Sequence, residues 1–396
     1  MKLRTLLFWP HLVAGVLAGA LILLMSVTGV LLTYERQLVE WSNSDLRSNV
    51  SPSSSARLPL EQVVASFQRA HPDLTPSSVV VGSEVDDAVI VSAGARAFYL
   101  DAYTGRPLGE GRQRMRQFMS DVRGWHRWLS AEGEARPTAR AFTGWSNLLF
   151  LFIVCSGLYL WFPRKRTWQH VRPVVWFTRG ARGKARDFNW HNAIGVWCLA
   201  PLFIVVVSAV PISFPWANDW VYRAAGETPP AGRRGGGAGE AAAREGGRGR
   251  GAGTPRVSTE GLAGLLQRAA QQERDWRTVT VRLPESASGP VSFAIDRGDG
   301  GQPQLRSTLT LDRAGAVVRY EAFADQGAGR RLRSLMRFAH TGEVLGLAGQ
   351  TVAGVASAGA VVLVWTGMAL ALRRARAWLS RRRSRAAMSI AENPAT

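Results

Sequence analysis

Residues 188–214 read FNWHNAIGVWCLAPLFIVVVSAVPISF, an apolar run with a histidine near its beginning and no formally charged side chain. Helical residues rise about 1.5 Å each, so about 20 of them cross a hydrocarbon core about 30 Å thick. The run is therefore long enough to be a transmembrane helix. An ionisable side chain such as His191 at its end needs a physical reason. It either binds a ligand or hydrogen-bonds to a neighbour at the membrane interface.

The pattern His-x-x-x-Gly begins two of the apolar runs. His191 is followed by Gly195, and His11 is followed by Gly15 in a run that continues to Leu32. This recurrence favours a role that two helices share over an isolated interfacial contact.

Charge and cysteine content exclude several classes of protein. The chain has 396 residues and a formal net charge of +20, and its Lys and Arg cluster beside the apolar runs. Membrane topology explains this clustering, so we expect no nucleic-acid partner. Cys155 and Cys198 both lie inside apolar runs. Neither a disulfide framework nor a cysteine-rich zinc or iron–sulfur site is therefore expected.

Four apolar runs predict four transmembrane helices. They lie at residues 1–33, 143–163, 188–215 and 347–372. The first is longer than a signal-peptide core of about 7–15 residues, so we expect it to be retained. Basic segments at 164–187 and 373–396 follow the second and fourth runs. The positive-inside rule places these segments and both termini in the cytoplasm.

Two polar blocks, residues 34–142 and 257–346, are predicted to lie outside the cytoplasm. Each has helical periodicity followed by short alternating stretches that are typical of antiparallel strands. The predicted helices are 58–70 and 260–271, and the predicted strands are 78–81, 88–91, 97–100, 279–283, 291–295 and 307–311. Each block, with its closing turn, resembles a PepSY domain, a small extracytoplasmic module.

Residues 216–256 are predicted to link the third apolar run to the second polar block. Gly, Ala and Arg dominate the part from 227 to 256. Such a composition cannot bury a core, so it predicts a disordered linker. Nucleic-acid binding by its Arg-Gly pairs is the alternative, which an extracytoplasmic position disfavours.

The order of these segments indicates a duplication. A helix with a histidine near its start, an external block, a histidine-bearing segment and a second helix occur twice. The segments 156–160, SGLYL, and 366–370, TGMAL, are equivalent in the two halves. Parallel repeats of this kind are related by a pseudo-two-fold axis along the membrane normal, so equivalent residues face each other.

Four of the six histidines fall at repeat-equivalent places. His11 and His191 begin the first and third helices, whereas His126 and His340 precede the second and fourth. The pseudo-symmetry predicts two facing pairs, one toward each side of the membrane. His71 and His170 have no repeat partner, and we expect them to be solvated surface residues.

Two facing imidazoles in a helical membrane bundle suit the axial ligation of a b-type haem, because the two axial nitrogens approach the iron from opposite sides of the porphyrin. Gly15 and Gly195 lie one turn after their histidines and lack a side chain, so a flat macrocycle could pack there. Zinc or copper is an alternative that needs further ligands, and no Cys, Asp or Glu stands at matching positions. Purely structural histidines are a second alternative.

The chain as a whole resembles the PepSY-associated transmembrane helix family of iron-regulated bacterial membrane proteins. The motifs that carry the resemblance are His11-x-x-x-Gly15, Trp125-His126-Arg127-Trp128-Leu129, SGLYLWFPR at 156–164, Asn189-Trp190-His191-Asn192-x-x-Gly195 and His340-Thr341-Gly342. The resemblance implies an α-helical protein of the bacterial inner membrane, with four transmembrane helices and two extracytoplasmic α+β PepSY-like domains. It also implies two b-type haems, ligated by His11, His126, His191 and His340.

Characterised members of that family reduce ferric siderophores in the periplasm. The resemblance therefore implies an electron-transfer protein in contact with membrane lipid, whose acceptor is a ferric siderophore or another periplasmic compound. The sequence has no glycine-rich dinucleotide fingerprint after a strand, so the electron donor is expected to be membrane quinol or a cytoplasmic reductase. The alternatives are a non-enzymatic sensor or protease regulator, in which the histidines are incidental, and a transporter.

Overall fold

The structure, a computed structural model, describes most of the chain. The described ranges are 3–50, 56–163, 167–230, 259–284 and 288–392. Most of the predicted linker, from residue 231 onward, therefore lies outside them. So do residues 164–166 of the first basic segment, 257–258 of the second external block and 393–396 of the basic tail.

The α-helices alternate between long apolar ones and shorter polar ones. They are α1 (Leu3–Thr33), α2 (Glu35–Ser42), α3 (Ser44–Ser48), α4 (Leu60–Ala70), α5 (Gln113–Trp128), α6 (Ala135–Trp161), α7 (Trp168–Val175), α8 (Gly183–Ser213), α9 (Pro215–Ala224), α10 (Leu262–Gln272), α11 (Ala328–His340) and α12 (Gly346–Glu392). In the described ranges, four helical stretches are long and apolar enough to cross a membrane: α1, α6, α8 and Glu343–Ser384, which includes most of α12. The prediction of four membrane-spanning helices is confirmed.

Three of these helices extend beyond the predicted runs. The structure begins α6 at Ala135 and α8 at Gly183, and continues α12 to Glu392. Hydropathy locates only the part of a helix that is apolar, whereas backbone hydrogen bonding continues into polar sequence until something interrupts it. The added turns carry the charged residues that surround the ends of the bundle.

The four long helices form a bundle in which α1 and α8 occupy opposite corners, because each packs against both α6 and α12. A layer of mostly small or short side chains fills its middle: Val154, Cys198, Leu202, Ala356 and Ala360. Small residues allow membrane helices to approach closely. At Gly359, the residue before Ala360 in α12, an added Cβ would lie 2.5 Å from the Sγ of Cys198.

The strands form one antiparallel sheet. They are β1 (Ser78–Gly82), β2 (Val89–Ala93), β3 (Arg96–Leu100), β4 (Pro107–Glu110), β5 (Thr278–Arg282), β6 (Val291–Asp296), β7 (Arg306–Leu311) and β8 (Val317–Ala322). The eight strands have the order β4-β3-β2-β1-β5-β6-β7-β8. The two outermost strands, β4 and β8, were not predicted from the sequence. In β4 a proline and a glycine hide the strand pattern, and an edge position tolerates both.

The first strand of each polar block joins the two blocks. β1 pairs with β5, with Val80 opposite Thr280 and Gly82 opposite Thr278. The sequence predicted two separate domains, whereas the structure has one continuous sheet over a shared apolar core. That core includes Phe67 of α4 and Leu262 of α10. Pairing removes one exposed edge from each half, which protects both edges from pairing with other chains.

Polar contacts join α2 to the bundle at the end nearer the sheet, which we call the sheet side; the opposite end is the far side. Gln37 of α2 donates to the side-chain oxygen of Gln350 in α12 at 2.8 Å. The buried amide of Gln350 in turn donates to the Thr33 carbonyl oxygen at 2.9 Å. Arg36 of α2 forms an ion pair with Glu343, just before α12, at 2.6 Å. At this same end α5 packs on α1 and α11 packs on α8.

The two histidines without a repeat partner differ. His170 lies on α7, and its Nδ1 is 2.7 Å from the Thr167 hydroxyl at an exposed position. His71 is half-buried, because its ring packs against Phe98 with a centroid separation of 4.5 Å. The expectation of a solvated side chain is therefore wrong for His71, whose predicted position at a helix end did not reveal the strand that covers it.

The joined sheet can be tested by cross-linking. Val80→Cys and Thr280→Cys place two thiols directly opposite each other in neighbouring strands, within the span of a disulfide. Under mild oxidation both introduced thiols should be lost, as counted by maleimide labelling. Val80→Cys with Thr308→Cys is the control, since Thr308 lies three strands away in the same row, at about 14 Å. Equal labelling of the two double variants would contradict the joined sheet.

Candidate functional site: two histidine pairs in the helical bundle

His126 and His340 meet at the sheet side of the bundle. His126 lies in the last turn of α5, and His340 is the last residue of α11. Their ring centroids are 6.3 Å apart, with 54° between the ring planes. The structure thus brings together two histidines that belong to helices outside the apolar runs. We call them the sheet-side pair.

The Nδ1 atom of each sheet-side histidine faces a long helix. In His126 it lies 2.9 Å from the Thr28 hydroxyl of α1, and in His340 it lies 2.8 Å from the Val205 carbonyl oxygen of α8. Desolvation by the surrounding protein lowers the pKa of both imidazoles, and the proximity of His340 adds to the effect at His126. A lowered pKa favours the neutral imidazole, which is the form that binds a metal ion.

His11 and His191, the far-side pair, lie on the opposite corners α1 and α8. The Nδ1 of His11 is 2.8 Å from the Ser156 hydroxyl of α6, and the Nδ1 of His191 is 3.0 Å from the Thr366 hydroxyl of α12. Both histidines lie at the far side of the bundle, and the pairing of their rings stays a prediction. Each far-side histidine thus reaches across to a neighbouring long helix.

Three glycines lie beside the Cε1 edges of imidazole rings. An added Cβ at Gly29 would lie 3.6 Å from the Cε1 of His126, at Gly157 it would lie 3.5 Å from that of His11, and at Gly367 it would lie 3.3 Å from that of His191. Each glycine follows the serine or threonine that contacts the same histidine. The sequence pattern marked 156–157 and 366–367 as a repeat but gave no reason for it; the contact with histidine is that reason.

The two glycines that the sequence singled out have different surroundings. A Cβ at Gly15 would meet nothing within 4 Å, and one at Gly195 would be 3.7 Å from Leu363. Neither position is needed for a close approach between helices. The space beside Gly15 is open, and packing of a macrocycle there stays a prediction.

The ring separation of the sheet-side pair is compatible with a metal ion between two imidazoles. A metal held about 2.0–2.1 Å from each coordinating nitrogen separates the centroids of two facing rings by about 6 Å, close to the 6.3 Å of the sheet-side pair. With Nδ1 at a hydrogen-bonding partner, Nε2 is the nitrogen available to the metal. In the part of the chain that the structure describes, no group of three or more His, Cys, Asp or Glu is placed to hold a metal ion. A haem iron suits such a pair, because the porphyrin supplies its other ligands.

Two ion pairs around a buried carboxylate lie at the beginning of α8, on the far side of the bundle. Asp187 lies one turn before His191, and its side chain is fully buried. Its carboxylate binds Arg186 at 2.8 Å and Arg373 of α12 at 2.9 Å. No motif singled out Asp187, although it is the one acidic residue in the basic segment 164–187. The ion pair with Arg373 joins α8 to α12 where His191 contacts Thr366.

The bundle and its attached sheet define a multi-pass membrane protein with a polar region on one side. A model of the family described as PepSY-associated TM region matches residues 8–374, which is nearly the whole chain. The protein belongs to this family. A search of curated proteins found no match.

The contact between glycine and imidazole gives a testable difference in stability. Gly367→Val places side-chain atoms where the His191 ring lies, and overpacking of this kind costs about 1–3 kcal/mol of unfolding free energy. Gly264→Val is the matched control in an exposed part of α10, where an added Cβ meets nothing. It should cost less than about 0.5 kcal/mol. Denaturation in detergent measures both, and equal losses would contradict the packing at His191.

Proposed function

We propose that the protein carries electrons across the membrane through two b-type haems. One haem is held by His126 and His340, and the other by His11 and His191. The observation that carries the proposal is the 6.3 Å separation of the sheet-side rings, combined with an Nδ1 that is occupied by a hydrogen-bonding partner in both. Bis-imidazole ligation of an iron needs this ring separation, and it needs Nε2 to be free while Nδ1 is hydrogen-bonded.

Internal similarity supports a duplicated architecture with a pseudo-two-fold axis along the membrane normal. The strand order is the same when read outward from the β1–β5 junction in either direction. The hydroxyls that contact His11 and His191 belong to equivalent segments, 156–160 and 366–370. In this architecture the two histidines of each pair face each other across the same axis.

A haem iron that alternates between the ferric and ferrous states supplies the one-electron chemistry. The chain holds the imidazoles at two levels: on α1, Thr28 follows His11 by 17 residues, which corresponds to about 25 Å of helix. Between the levels lies the apolar layer around Cys198 and Ala356. This layer excludes water, so electrons can pass between the levels while protons and ions do not.

Charge supports an orientation with the far side in the cytoplasm. The exposed arginines after the apolar part of α12 include Arg374, Arg376 and Arg381, and basic residues stay on the cytoplasmic side. The sheet region is then periplasmic in a bacterial inner membrane, and both termini are cytoplasmic. Membrane quinol or a cytoplasmic reductase would donate electrons at the far-side pair.

The acceptor that we propose is a chelated ferric ion, most simply a ferric siderophore. The hard oxygen donors of such a chelate hold ferric iron more tightly than ferrous iron. One-electron reduction of the chelated iron, by a haem that His126 and His340 would hold, would therefore loosen the grip of the chelate on the metal. The reaction would serve iron acquisition.

Visible absorption tests the cofactor. Full-length protein, purified in detergent from cells with ample haem, should show b-type bands on reduction and should contain two haems per chain. Absence of these bands would contradict the proposal and would favour a sensor or protease regulator that contains no haem.

Single substitutions test the pairing. His11→Ala and His191→Ala should each remove the far-side haem, whereas His126→Ala and His340→Ala should each remove the sheet-side haem. Potentiometric titration of the remaining haem distinguishes the two. His170→Ala is the control, because its exposed ring contacts only Thr167 among the hydrogen bonds of the described residues, and it should keep both haems. If His11→Ala and His191→Ala left different haems, the pairing would be wrong.

A further inference from the structure

Three of the four bundle histidines contact the same local arrangement, a hydroxyl residue followed by glycine on a neighbouring long helix. The dipeptides are Thr28-Gly29 at His126, Ser156-Gly157 at His11 and Thr366-Gly367 at His191. We call Thr28, Ser156 and Thr366 the hydroxyl anchors. In each case the anchor oxygen meets Nδ1, and the glycine leaves room for the ring edge.

The single proton of each hydroxyl is already committed. A serine or threonine hydroxyl has one proton to donate and lone pairs to accept with. The anchors donate to the carbonyl one turn earlier in their own helix: Thr28 to Leu24 at 2.6 Å, Ser156 to Phe152 at 2.7 Å and Thr366 to Val362 at 2.8 Å. While the hydroxyl donates to this carbonyl, its oxygen can only accept from the imidazole, and Nδ1 then carries the proton.

We propose that the hydroxyl anchors are positioning residues that fix the Nδ1–H tautomer and the ring orientation of their histidines. The lone pair then lies on Nε2, the nitrogen opposite the anchor. Which ring nitrogen of a histidine binds a metal is set by the hydrogen bond that the other makes. The inference deepens the proposed function and rests on it for the identity of the metal group, but the tautomer itself does not depend on haem.

The fourth histidine has a different acceptor. Ser208 follows His191 by the same 17 residues that separate Thr28 from His11, yet the Nδ1 of His340 contacts the Val205 carbonyl oxygen. The Ser208 hydroxyl donates to that same carbonyl at 3.0 Å. Loss of this hydroxyl leaves the acceptor of His340 in place. Ser208→Ala is therefore a matched control for Thr28→Val at the equivalent position.

The first experiment measures tautomers in haem-depleted, full-length protein labelled with ¹⁵N-histidine. Two-bond nitrogen–proton couplings distinguish Nδ1–H from Nε2–H. We expect His126 to be the Nδ1–H tautomer in the unaltered protein and to become mixed in Thr28→Val. The Nδ1–H tautomer should remain partly populated in this variant, because the Met25 carbonyl also interacts with the ring. Thr28→Ser, which keeps the hydroxyl, should keep His126 as the Nδ1–H tautomer. Ser208→Ala should leave the tautomer of His340 unchanged.

The second experiment measures haem affinity and midpoint potential. Substitution of a partner that orients a metal-binding histidine weakens metal binding by about 10–100-fold; with Met25 still present we expect about 10-fold for the sheet-side haem in Thr28→Val. Its potential should also shift, while the far-side haem stays unchanged. Ser156→Ala should have the opposite selectivity. Thr33→Val is a further control, since among the described residues the hydrogen bond of this buried hydroxyl goes to the Gly29 carbonyl of its own helix.

The outcomes separate this inference from the proposed function. Ser208→Ala, the control, should leave the His126 tautomer unchanged. If Thr28→Val also left it unchanged, the anchor role would be overturned even if both haems were present. Unaltered protein that kept the Nδ1–H tautomer but bound no haem would support the anchors and overturn the haem-based function.

Discussion

An imidazole N–H that is buried in an apolar helical bundle must find an acceptor, because an unpaired buried donor costs about 1–3 kcal/mol. Each of the four bundle histidines meets this requirement through Nδ1, and each does so on a different long helix: α1, α6, α8 and α12. The contacts therefore set the helices against one another as well as holding the rings. Three glycines of the bundle accompany these contacts, since Gly29, Gly157 and Gly367 leave room for the ring edges beside the helix backbone.

The sequence predicted the four long helices and the equivalence of the histidines, because hydropathy and repetition are properties of the chain itself. It did not predict that the two external blocks share one sheet. Alternation in β1 and β5 shows which face is buried but not which strand lies alongside. Gly15 and Gly195 were singled out because they follow a histidine in sequence. The glycines that contact the rings belong to other helices, and only the repeated serine or threonine before Gly157 and Gly367 could have pointed to them.

The sheet-side pair shows why hydropathy could not complete the site. His126 and His340 lie on α5 and α11, amphipathic helices outside the apolar runs, and these helices pack directly on α1 and α8. Arg36 and Glu343 form an ion pair at the same end of the bundle. The external region thus has a structural part in the site in addition to any part in binding an acceptor. At the far side Asp187 has a similar part, since it joins α8 to α12 one turn from His191.

The central claim is that each pair binds one haem iron through two imidazoles. Electron paramagnetic resonance of the oxidised, detergent-purified, full-length protein tests it directly, because six-coordinate bis-imidazole ferric haem is low-spin, whereas haem with a single histidine ligand is high-spin. We expect two low-spin species and no high-spin signal. A dominant high-spin signal, or no haem signal at all, would contradict the claim.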